Sequence, residues 1–249
     1  LDLPLIPAPI YSLFVLQSFQ VPEIISRGGI LVAKRVMVGT LTMIMVLMLA
    51  SCTFAVTTFS LNTLLDGKSE NGGYNYDLSQ WTLGLNVPLN KKLTLSADLL
   101  NGEIERNGAT GDTSGYKLKG AYQVFSDSKV CLALTGGLYR RDLELPYYAD
   151  YTVSSLTFGV DGQLKLDQKA WLHFGLALGL LSDEKLDEYY GSYYKGDPSS
   201  LVLFNLKLNY LINKQFGLSL GYVSESYDSD LLIRGNSHTG LNGGAFFRF

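Results

Sequence analysis

The chain has 249 residues with 20 basic and 23 acidic side chains, a net charge of −3 that excludes a globally basic nucleic-acid binder. Charged residues reach only 17%, below the roughly one quarter usual in soluble domains, while Gly (26) and Tyr (16) are abundant. Two cysteines, Cys52 and Cys131, exclude a disulfide framework and a cysteine-based zinc cluster.

Residues 1–31 contain no Met, and Pro4, Pro7 and Pro9 interrupt their apolar stretch, so they read as upstream sequence outside the native product. Residues 32–55 read as a signal peptide. Lys34-Arg35 is the basic region, Val36–Ala50 the apolar core and Ser51–Ala55 a small-residue exit. Two processing routes fit: cleavage after Thr53-Phe54-Ala55, or lipidation of Cys52 within Leu49-Ala50-Ser51-Cys52. Residues 56–249 form the folded unit.

Through that unit the apolar residues recur with period two, the pattern of strands with one apolar face. Trp81-Leu83-Leu85-Val87, Leu93-Leu95-Ala97-Leu99, Tyr116-Leu118-Gly120-Tyr122-Val124 and Val130-Leu132-Leu134 are followed by Leu156-Phe158-Val160. Leu172 to Leu180, Val202 to Tyr210 and Phe216 to Tyr222 continue it, and Leu241-Gly243-Ala245-Phe247-Phe249 ends the chain. Tight turns recur at Asn90-Lys91-Lys92, Asp127-Ser128-Lys129, Asp167-Gln168-Lys169 and Asn213-Lys214-Gln215, and longer polar stretches join the other strand ends. Four hairpins give eight strands, the terminal strand a ninth, and Val56–Leu65 supplies the closing partner. The expected fold is all-β: a transmembrane antiparallel up-and-down barrel of about ten strands.

A soluble sandwich or lipocalin-like barrel has the same period with the rows reversed. The polar row here is rich in Gly, Ala, Ser and Thr, which suits a cramped interior, and the apolar row is nearly free of charge. Trp81, Tyr116, Tyr151 and Tyr222 are placed at an outer aromatic girdle, with Tyr210, Phe216, Phe247 and Phe249 at an inner one.

The ending, a terminal Phe preceded by alternating apolar residues and the string Phe247-Arg248-Phe249, resembles the terminal insertion signal of bacterial outer-membrane β-barrels. The resemblance implies the bacterial outer membrane, contact with lipid and lipopolysaccharide, and delivery by the barrel-assembly machinery, with Phe247 and Phe249 as the signal. It also implies that the short turns face the periplasm.

The inward rows carry Lys117, Lys119, Lys165, Lys207 and Arg248 against Asp98 and Asp161, which are expected to pair with some of these bases. Phe125, Trp171 and Phe246, assigned to the inward rows near the periplasmic mouth, are expected to constrict the bore. Acidic loops rich in Tyr, notably Tyr189, Tyr190, Tyr193 and Tyr194, offer amphipathic area for recognising an unknown extracellular ligand. Asp183, Glu184, Asp187 and Glu188 lack metal-loop spacing and read as a solvated loop. His238 beside Ser237, with Asp228 and Asp230 before it, resembles the His-acid arrangements of omptin-type proteases and lipid-modifying barrel hydrolases.

The expected function is that of a non-enzymatic outer-membrane barrel serving surface recognition or membrane structure, without cofactor, metal or nucleic acid. A narrow porin-like channel for small solutes is the first alternative, and a hydrolase or protease using His238 the second.

Overall fold

The computed structural model describes residues 56–146, 149–188, 192–196, 200–229, 231 and 236–249. The upstream segment 1–31, the signal peptide 32–55 and both processing routes at its end lie outside the described residues.

The strands are β1 (Thr58–Asn71), β2 (Tyr74–Pro88), β3 (Leu93–Arg106), β4 (Ala109–Ser126), β5 (Val130–Leu145) and β6 (Ala149–Lys165). Then come β7 (Ala170–Glu188), the short β8 (Tyr193–Gly196), β9 (Ser200–Leu211), β10 (Phe216–Asp228) and β11 (Asn236–Arg248). Neighbours pair antiparallel, β6 pairs with β7 and β1 with β11. β8 pairs with the outer end of β7, so the wall is a closed barrel of ten strands. The first strand meets the last from Thr58 opposite Arg248 to Glu70 opposite Ser237. Phe249 extends this seam, its N–H donating to the Thr57 carbonyl at 3.0 Å. Closure leaves no open edge along the wall, which is what lets strands cross hydrocarbon.

The four short turns share one device. The side-chain oxygen of their first residue accepts the N–H groups two and three residues on: Asn90 from Lys92 and Leu93, Asp127 from Lys129 and Val130, Asp167 from Lys169 and Ala170, Asn213 from Gln215 and Phe216. The backbone donors at Val130 and Lys129 hold the Asp127 carboxyl below its usual range, and those at Lys169 and Ala170 do the same for Asp167.

Outward side chains form an apolar belt. Leu138 and Leu220 stand 49% and 55% exposed, as do many Leu and Phe at the same level. On β5 the belt runs from Val130 to Leu138, on β6 from Leu156 to Leu164 and on β11 from Phe249 to Leu241, close to the roughly 9–11 residues of a tilted transmembrane strand. So extensive an exposed apolar surface, interrupted on β2 where Leu85 and Val87 are buried, requires lipid.

Above the belt the strands continue, and the alternation inverts. On β5 the outward row turns to Arg140, Asp142 and Glu144 while Tyr139, Leu143 and Leu145 are buried. On β6 Ala149, Tyr151 and Val153 are buried beyond outward Leu156, and on β2 Tyr76 and Leu78 are buried beyond outward Trp81. Once water replaces lipid outside, the apolar side must turn inward.

This extension corrects two expectations. Much of the sequence assigned to long polar loops is strand, and two outer connections are as tight as the inner ones. Gly72 and Gly73 close β1–β2, and Asn107 and Gly108 close β3–β4, all at positive φ, the conformation of short hairpin turns. Tyr151 is not part of the outer girdle: it lies on the inward row of β6 and is 0% exposed. Trp81, Tyr116 and Tyr222 do face outward at the upper edge of the belt.

Candidate functional site

From the periplasmic end the lumen begins with a partial floor. Trp171 of β7 and Phe246 of β11 meet edge to face, ring centroids 5.5 Å apart, and the Arg248 guanidinium lies 4.5 Å from the Trp171 ring. Gly217 on β10 makes room, because a Cβ there would come within 2.2 Å of the Phe246 ring. Phe125 does not join them. A bulge between Gln123 and Phe125 shifts the register so that Phe125 opposes Leu132 of the outward row, and it is 49% exposed on that face. The expected trio is therefore an inward pair. Asn86, on an inward row beside this pair, is exposed, so the mouth is open on the β2–β3 side.

Above the floor lies a cavity of about 390 Å³, lined by Asp98, Lys119, Asp161, His173, Asn205 and Lys207 among others. Lys119 pairs with Asp161, as the sequence suggested. Lys117 instead bonds Glu225 of β10. The buried Glu225 carboxylate also accepts from the Arg141 guanidinium and, at 2.8 Å, from the Tyr139 hydroxyl. Arg141 donates further to Gln80 Oε1 at 2.6 Å and Thr113 Oγ1 at 3.1 Å. This layer spans β2, β4, β5 and β10, tying distant parts of the wall across the bore.

Over that layer the outer end is filled. Tyr76, Leu78, Ile104, Leu143, Tyr151, Val153, Leu186, Leu201 and Tyr227 form one buried cluster. Tyr151 and Tyr227 stack with centroids 6.0 Å apart and planes 3° from parallel. The Tyr151 hydroxyl donates to the fully buried Glu184 at 2.5 Å; Ser229 Oγ and the Leu231 N–H bond the same carboxylate at 2.6 and 3.2 Å. A bulge on β7, where Leu156 and Thr157 oppose Leu181 and Gly179, brings Glu184 to the inward face. Glu184 is thus no part of a solvated acidic loop, while Asp183 and Asp187 face out.

His238 is inward and 2% exposed, 3.1 Å from the Tyr227 hydroxyl through Nε2. It lies beyond the belt edge at Leu241, and burial pushes its imidazole well below the usual histidine range. Ser237, one position along the strand, faces the other side; Asp228 is exposed and Asp230 lies outside the described residues. Among the described residues, His238, Ser237 and Asp228 do not converge. Tyr193 and Tyr194 are exposed on β8, whereas Tyr189 and Tyr190 lie outside the described residues. Phe247 packs against Phe249, centroids 4.9 Å apart, at the inner end of the closing seam.

The sequence reading missed Tyr139, Arg141 and Glu225. Their signal was the inversion of the alternation on β5 and β10.

No protein-family model and no curated protein matches the chain. Among solved structures, the outer membrane protease OmpT from Escherichia coli aligns with a TM-score of 0.58 over 78% of this chain and 96% of that one, at 9% identity. The fold is that of bacterial outer-membrane β-barrels. The translocator domain of autotransporter NalP from Neisseria meningitidis gives 0.44 at 15% identity, over 79% and 89% of the two chains. The attachment invasion locus protein Ail of Yersinia pestis gives 0.41 at 13%, over 79% and 100%. With its lipid-facing belt, the barrel belongs in the bacterial outer membrane.

Proposed function

We propose that this chain is a non-enzymatic, non-conducting outer-membrane barrel that holds a rigid acidic collar above the outer leaflet for recognition of an extracellular partner. The observation that carries the reading is the filled outer end. A channel needs a continuous aqueous path, and the buried cluster from Tyr76 to Tyr227 occupies the bore where that path would leave the cell.

The collar supports the recognition role. Its outward faces carry Glu103, Glu105, Asp112, Glu144 and Asp150 on strands, together with Asp77 and Asp142, which are paired with Lys68 and Arg140. Charges fixed on strands lose less conformational freedom on binding than charges on loops. Exposed Tyr193 and Tyr194 add amphipathic contact area. The burial of His238, with Ser237 on the opposite face, favours the non-enzymatic reading over a hydrolase. Phe247 and Phe249, on the closing seam, fit the role of insertion signal for the barrel-assembly machinery.

Planar-bilayer recording on refolded protein tests the proposal. The wild type gives no steady conductance. Trp171→Ala combined with Phe246→Ala also stays closed, because the outer cluster lies above that floor. A steady wild-type current would overturn the reading in favour of a channel.

A further inference from the structure

The charged groups of the lumen do not all satisfy one another. Lys119 is engaged by Asp161 and Lys117 by Glu225. Asp98 on β3 and Lys207 on β9 line the same cavity, yet among the described residues neither has an ion pair or a hydrogen bond from its side chain. Their strands lie five steps apart in either direction around the ten-stranded wall, so carboxylate and ammonium approach from opposite sides of the bore. Each is the other's counter-charge across the lumen, but no direct contact joins them, so burial of the two charges is only partly offset.

We infer that the lumen is a periplasm-facing binding site for a short zwitterion, whose anionic end meets Lys207 and whose cationic end meets Asp98. At about 390 Å³ the cavity falls within the roughly 300–1,000 Å³ of small-molecule sites. Leu100 and Leu203, on the two strands that carry the charges, line the cavity on its outer side, where Leu203 packs against the buried cluster, so a methylene body spanning the charges meets apolar surface there. Entry is from the periplasm, past exposed Asn86, since the buried cluster fills the other end. A ligand bearing only one charge satisfies one wall and leaves the other group uncompensated, so both charges are required for tight binding.

The inference rests on the blind lumen but not on any surface partner. The test is calorimetric titration of the refolded barrel in lipid nanodiscs with glycine, β-alanine, γ-aminobutyrate and ε-aminocaproate, which carry the same two charges at increasing separation. Acetate and methylammonium are the single-charge controls. One chain length binds about tenfold or more tightly than either control. Lys207→Gln and Asp98→Asn each remove about tenfold or more, Lys207→Arg retains binding, and Lys185→Gln on the collar changes nothing. Each variant is first shown to keep the gel shift on boiling that marks a closed barrel. Affinity no better than acetate for every member, or binding that survives both substitutions, overturns the site. Bilayer recording on the same preparations separates this from the surface-barrel reading: a conducting barrel defeats that reading, whereas a silent barrel that ignores the series defeats only the site.

Discussion

Glu225→Leu lowers the stability of this barrel by about 3–5 kcal/mol, read as the shift in urea midpoint of the refolded protein in micelles. The carboxylate is buried and accepts from Arg141, Lys117 and Tyr139 at once. Removing it strands a guanidinium that is 1% exposed and keeps only neutral partners, Gln80 and Thr113. An uncompensated buried charge costs far more than the pair was worth, so the double variant Glu225→Leu, Arg141→Met regains much of the loss. A single variant within about 1 kcal/mol of wild type would mean that the layer is hydrated and holds nothing together.

The second large effect belongs to the stacked pair. Tyr151→Ala and Tyr227→Ala each cost about 3–5 kcal/mol, the range for truncating a buried aromatic. Together they also leave Glu184 and His238 short of a partner, because the two hydroxyls bond those groups. The double Ala variant therefore melts earlier and conducts, since the rings are part of what fills the outer bore. The double Phe variant keeps the packing, loses only the hydrogen bonds and stays silent in the bilayer. Silence and unchanged stability in the Ala variant would place the barrier elsewhere.

Much of the fold was legible because a bilayer imposes one rule on every strand it touches. Wherever lipid lay outside, the apolar residues fell on one parity, and Leu156-Phe158-Val160 or Leu218-Leu220-Tyr222 marked the outer face directly. The turns were legible for a local reason, an Asx side chain two and three residues before the backbone donors it accepts. What escaped was set by events that change parity. The bulge before Phe125 moved that ring to the lipid face, and the bulge on β7 brought Glu184 inside. Tyr151 escaped because its strand had already left the membrane, where the burial rule runs the other way. The inverted alternation on β10 marks Glu225 as inward, but no local pattern names its partner Arg141, 84 residues away.

The measurement closest to the central claim, a lumen open to the periplasm and sealed to the outside, uses a native thiol. Cys131 is half-buried on the inward row at the periplasmic end, its Sγ 3.4 Å from Gln123 Oε1, and it is the single cysteine of residues 56–249. A charged, membrane-impermeant methanethiosulfonate is applied from each side of vesicles whose barrel orientation is established by an outward collar cysteine, Ser79→Cys. The account predicts that Cys131 reacts from the periplasmic side and stays unmodified from the outer side, while Ser79→Cys does the reverse. Modification of Cys131 at equal rates from both sides would contradict it.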